Sequence, residues 1–406
     1  MTINYSRRMF RSLTVVVIAL VALTLPSLPV AQTTFAVVMN ELDNPRGLAF
    51  GPDGALYVAE AGRGGDGPCI TAGQTFCYGP SGAVSRWRAG VQERIVRGLP
   101  SMAQAGTGSR ATGPHDIAML GIGGAYVTIG LERDPAERNL FPEFAGFGRV
   151  AQITPGGAWR FVADISAYEA AHNPDGRVDD VDGDPSTPPT PFYDSNPYGL
   201  LAEAGRHLVT DAGGNSLFAL DPNGGLSLLA VFHSRGTVPA RPSFAPPRPA
   251  PLPPFDAFTD AVPTTVVAGP DGAYYVGELT GVPFVDRTAN IYRVVPGGAP
   301  QLFLIQDACI AGFKMIIDMD FDAEGNLYVL QHATAPVQQM SPGKVVRVEP
   351  DRSQSDTCAG YRMGTRGDVV TGLTKPTALI VGPDGALYIS NQGNDAGIGQ
   401  VIRVER

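Results

Sequence analysis

Glu60, Asp211, Glu278, Gln331 and Asn391 each close a short apolar run, and that shared position makes them the first candidates for chemistry. Three carboxylates and two amides make an all-oxygen donor set. Such a set suits a hard cation such as Ca²⁺, and a bound ion there would support a metal-assisted hydrolase. The structural alternative is that these side chains cap backbone amides where loops begin. His115 and Asp116 form a second candidate, an acid/base pair beside a polarising ion. Neighbours on a regular strand face opposite sides, so these two share a site only where the strand is irregular. His172, His207 and His233 are scattered, whereas His332 directly follows Gln331 and is placed to reach the same region. Asp175, Asp179, Asp180, Asp182 and Asp184 crowd one segment. Asp180-Val-Asp-Gly-Asp resembles the start of a calcium loop but lacks the spaced Gly and closing Glu of an EF-hand, and it reads as a solvated acidic loop. The chain has no Gly-x-Ser-x-Gly elbow, phosphate loop or dinucleotide fingerprint.

The elements that must position these residues recur. Asn44-Pro-Arg-Gly-Leu-Ala-Phe-Gly-Pro-Asp-Gly-Ala-Leu-Tyr-Val-Ala-Glu60 returns as Val262 to Glu278 and again as Lys375 to Asn391. Weaker copies begin at Gly113-Pro-His-Asp, Asn196-Pro-Tyr-Gly and Ile316-Ile-Asp-Met, which makes six. In each, an apolar run forms an inner strand. Gly-Pro-Asp-Gly turns the chain, and an alternating run returns. Two more strand-like runs complete each unit, as Gly82–Trp87 and Glu93–Arg97 do in the first. Four strands per unit and six units predict an all-β, six-bladed β-propeller over residues 32–406. The candidate oxygen donors then ring one mouth of a central channel. The last copy stops after its third strand, and an orphan strand at Phe35–Asn40 precedes the first copy. The N-terminal strand is therefore expected to complete the last blade.

Residues 1–31 read as an export signal. A basic stretch carrying Arg7, Arg8 and Arg11 precedes an apolar run from Leu13 to Leu25, too short to span a bilayer. Ser6-Arg-Arg-Met-Phe suits the twin-arginine route, and the h-region suits Sec equally. The expected location is periplasmic or extracellular, with no membrane span in the mature form. The formal charge of −9 argues against nucleic acid, whose phosphates need basic partners. Four cysteines, Cys69, Cys77, Cys309 and Cys358, suggest disulfides in an exported chain: a local Cys69–Cys77 bridge, and Cys309 with Cys358. Eight prolines between Pro239 and Pro254 mark an extended insertion.

Several stretches resemble the ScyD/ScyE family, exported propellers related to NHL-type proteins. They include Val58-Ala-Glu-Ala-Gly, Cys77-Tyr-Gly-Pro-Ser-Gly-Ala-Val, Gly113-Pro-His-Asp-Ile-Ala, Ala163-Asp-Ile-Ser-Ala-Tyr-Glu-Ala-Ala-His-Asn-Pro-Asp-Gly, Asp194-Ser-Asn-Pro-Tyr-Gly-Leu-Leu, Asp211-Ala-Gly-Gly-Asn and Tyr275-Val-Gly-Glu-Leu-Thr-Gly. The resemblance implies extracytoplasmic small-molecule metabolism of the scytonemin type and carries no catalytic residues over. Two functions are expected: from the oxygen-donor ring, an enzyme acting on a small organic molecule at the channel mouth, lactonase-like if metal-assisted; or, from the missing catalytic constellation and the long loops, a non-catalytic binding or scaffold propeller with a small-molecule or protein partner.

Overall fold

The computed structural model describes residues 35–121, 124–179, 190–233, 260–281, 284, 288–303, 313–335, 341–350 and 361–406, the side chains of 361–366 excepted. These form six antiparallel sheets arranged as a six-bladed β-propeller, and a seventh, two-stranded sheet of Val178–Asp179 and Thr190–Pro191. The inner strands are Pro45–Phe50, Pro114–Leu120, Pro197–Glu203, Pro263–Ala268, Ile316–Phe321 and Ala378–Val381. Each pairs with a returning strand, the first being Leu56–Glu60 and the last Leu387–Asn391. One α-helix, Ile165–His172, follows the second blade. Among the described residues no helix is long and apolar enough to cross a membrane. The export signal, Cys309, Cys358, Asp180 to Asp184 and the proline-rich stretch lie outside the described residues.

The repeated Gly-Pro-Asp-Gly turn has a common mechanism. Asp53, Asp271 and Asp384 each accept from the amide two residues on and from the hydroxyl of a tyrosine four residues on, Tyr57, Tyr275 or Tyr388. The closing glycine has positive φ, +77° at Gly272. The first glycine is required for a different reason. A Cβ on Gly51, Gly269 or Gly382 would meet the same tyrosine ring at 2.6, 2.2 or 2.5 Å.

Alternation along the returning strand fills two interfaces at once. Tyr57 and Ala59 pack with Ile117 and Val127 of the second blade, while Leu56 and Val58 pack with Tyr388 and Val401 of the sixth. Both faces of each blade are therefore buried, which explains the nearly continuous apolar runs. The ring closes as the sequence predicts. Phe35–Asp43 pairs antiparallel with Ala396–Val404 and is outermost in the last blade, beyond Ala396–Val404, Leu387–Asn391 and the inner strand Ala378–Val381. Cys69 and Cys77 face each other in a hairpin extending the first blade and are joined by a disulfide.

Candidate ligand site at the channel mouth

The register supports the alignment of the repeats. Pro45, Pro114, Pro197, Pro263 and Ile316 pair with Glu60, Ile129, Asp211, Glu278 and Gln331 respectively. Immediately after that pair, every one of these inner strands carries a register shift. A β-bulge re-aims the side chain it displaces. The second residues of the inner-strand segments are Arg46, His115, Tyr198, Thr264 and Ile317, with Thr377 equivalent in the sixth blade. Five of these six line a cavity of about 300 Å³; His115 lies behind Tyr198, ring centroids 4.6 Å apart.

Arg46 dominates the mouth. It is 5% exposed and donates to the carbonyl oxygens of Gly393 and Ala111 and to Asn394 Oδ1. Its Nε has no hydrogen-bond partner. No carboxylate among the described residues pairs with it. A second cleft of about 290 Å³ shares Arg46, Glu132 and Asn394 with the first and adds Arg110 and Arg133. The first cavity is walled by apolar groups, among them Leu279, Phe284, Met315 and Ile317. The mouth therefore has an apolar half and a cationic half that meet at a buried guanidinium.

Two histidines border it in their neutral forms. His332 Nδ1 lies 2.8 Å from the Pro376 carbonyl, which only accepts, so the proton sits on Nδ1 and Nε2 keeps its lone pair. Burial holds this imidazole below its usual pKa, and Arg46 and Lys375 act in the same direction. His115 makes the corresponding contact, Nδ1 to the Pro197 carbonyl at 3.3 Å, and burial and then Arg46 press its pKa down to about 3. Its Nε2, 3.8 Å from Glu132 Oε1, has no hydrogen-bond partner. Burial pushes the Tyr198 hydroxyl up to about 12, so it remains a donor.

The donor ring expected from the sequence is placed at the blade ends and is engaged with neighbouring groups, mostly backbone amides. Glu60 accepts from the Asp43 amide at 2.7 Å, from Ser85 and from Arg94. Asp211 accepts from the amides of Asn196, Gly213 and Gly214. Gln331 and Asn391 accept from the amides of Lys314 and Thr374, and Glu278 accepts from the side chain of Asn290. Among the described residues no three His, Cys, Asp or Glu side chains form a group that could hold a metal as they stand. No hydrogen bond joins His115 to Asp116. Asp116 instead lies deeper in the channel, where burial and then Asp318 across it raise its pKa well above the usual range. Composition and spacing do not single out Arg46, Glu132 or Tyr198. The signal that finds the ring is the residue following the first one of each inner strand.

A six-bladed β-propeller with a ligand-sized cavity at its channel mouth defines the class of the protein. No family model matches the chain, and no curated protein matches it. Solved structures do. An oxidoreductase (glucose dehydrogenase) structure from Thermus thermophilus is similar over 92% of this chain and 100% of that one, at 17% identity and a TM-score of 0.50. A streptogramin B lyase structure matches over 92% and 97% at 10% identity, TM-score 0.47. A virginiamycin B lyase from Staphylococcus aureus matches over 92% and 99% at 10% identity, TM-score 0.42. At these identities the likeness speaks to the fold alone.

Proposed function

We propose that the channel mouth binds a small amphipathic organic anion, an apolar or aromatic body carrying a carboxylate, in extracytoplasmic metabolism. The carrying observation is Arg46. A buried guanidinium without a counter-ion is costly, and a ligand carboxylate would satisfy its free Nε and its charge together. Arg110 biases the adjoining cleft toward the same sign, Arg133 there being paired with Glu137, while Phe284, Leu279 and Ile317 offer the apolar wall. The Cys69–Cys77 disulfide supports an exported setting, and the resemblance to ScyD/ScyE proteins suggests an indolic or phenolic ligand. The deciding experiment is calorimetric titration with indole-3-acetate against uncharged indole-3-acetamide. Preference for the acid supports this reading, and equal or absent binding leaves the non-catalytic scaffold.

Turnover of the ligand is a second reading, favoured by one observation: His332 offers a neutral, oriented imidazole on the cavity wall. That is the arrangement of a general base, with the half-exposed carboxyl of Glu132 lining the same cavity.

A further inference from the structure

We propose that a second, independent site, between the helix Ile165–His172 and the Asp211–Asn215 turn of the third blade, binds one Ca²⁺ ion through Glu169, Asp194 and Asn173. Glu169 is 1% exposed, and its Oε2 has no hydrogen-bond partner. It is aimed at Gly214. A Cβ on that glycine would lie 2.6 Å from Glu169 Oε2 and 3.2 Å from Asp211 Oδ2, so the two carboxylates face one small space that a side chain would fill. Two further buried oxygens of the same region lack donors, Asp194 Oδ1 and Asn173 Oδ1. Asn173 caps the helix at positive φ, which turns the chain back beside Glu169.

Asp211 already accepts from Ser195 and from three amides, whereas a buried carboxylate oxygen without a donor, as at Glu169, is expensive, and a cation relieves it. The donors are exclusively oxygen, which selects a hard ion over zinc. They come from a helix, the turn after it and a separate loop, an arrangement suited to the pliable coordination of Ca²⁺ and not to the rigid octahedron of Mg²⁺. As they stand, the carboxylates are not closed around a common point. Ion binding therefore draws Asp194 and Asn173 inward, with water completing the shell. The charged neighbours are Asp175, whose Oδ2 accepts from Asn215, and Arg177, which is paired with Asp260 at 2.8 Å.

The test is made on purified protein stripped with EDTA and titrated with CaCl₂. One equivalent should bind, and the melting temperature should rise by about 5 °C, with Mg²⁺ failing to substitute. Glu169→Gln keeps the side-chain shape and should weaken Ca²⁺ binding at least ~10-fold, by loss of ligand charge. Asp194→Asn, at a more accessible position, should do the same if Glu169→Gln fails to fold. A wild-type protein with no Ca²⁺-dependent heat and an unchanged melt overturns the proposal. So do two folded variants that bind Ca²⁺ as the wild type does.

Discussion

The amide of Leu200 donates to Asp116 Oδ2 at 2.7 Å, so a carboxylate of the second blade holds the inner strand of the third. Across the ring, Asp318 Oδ2 takes the Leu379 amide at 2.8 Å and Asp320 Oδ2 takes the Val381 amide at 2.8 Å. Inner strands have one side of their ladder facing the channel, and those amides need acceptors from outside their own sheet. Carboxylates on the axis supply them and tie neighbouring blades together.

That arrangement fixes a pH dependence. Burial, then Asp318 and Asp322, push Asp320 up to about 7, and burial lifts Asp318 to about 6. Both fold with protons that the unfolded chain releases near pH 4. Stability from these groups is complete below that value and is lost as pH rises toward 7. Urea midpoints should fall between pH 4 and pH 7, and Asp320→Asn should make that fall shallower. An identical slope in the variant would remove Asp320 from the account.

At the mouth, Arg46→Gln should cost about 100-fold in affinity for indole-3-acetate, the order expected for losing a charge-assisted contact in a buried site. Binding of the corresponding amide should barely change. Calorimetry on both ligands, with a melt to check folding, separates loss of the charge from loss of the blade contacts to Gly393 and Ala111.

If the ligand is turned over, His332→Gln should lower kcat by about 100-fold with little change in KM, because the imidazole acts as a base and not as the anion anchor. Steady-state assays on indolic esters and lactones would read this. A KM effect alone would assign His332 to binding.

The two turn glycines should respond differently to alanine. Gly269→Ala drives a methyl into the Tyr275 ring, whose residue is 1% exposed, at an expected cost of about 1–3 kcal/mol. Gly272→Ala meets nothing within 4 Å and loses only about 1 kcal/mol, through its φ of +77°. Chemical denaturation of the pair gives the order directly.

Deleting residues 32–43 should abolish cooperative unfolding. The missing strand leaves Ala396–Val404 as a raw edge and exposes the wedge around Met39 and Leu42, both at most 1% exposed. A truncated protein that melts like the full chain would show that the ring does not need its N-terminal clasp.

The sequence by itself determined the architecture. Turn chemistry at Asp53, Asp271 and Asp384, period-two alternation and an orphan strand at Phe35 are local signals, and together they specify six sheets and a closing strand. The local cysteine pair was equally legible, because Cys77 lies only eight positions after Cys69. The site was legible only in part. The repeat alignment located Glu60, Asp211, Glu278, Gln331 and Asn391 at equivalent blade ends, but which group each would bond was beyond it. The tertiary structure turned most of those oxygens toward entering amides, and Glu278 toward Asn290. It also displaced Arg46 and Tyr198 into the mouth by a bulge that regular alternation does not anticipate, and it set Glu169 beside Asp211, which lies far along the chain in a different blade. A backbone pattern is written in nearest neighbours, whereas the pairing of a buried charge is settled by whichever distant segment the closed ring brings against it.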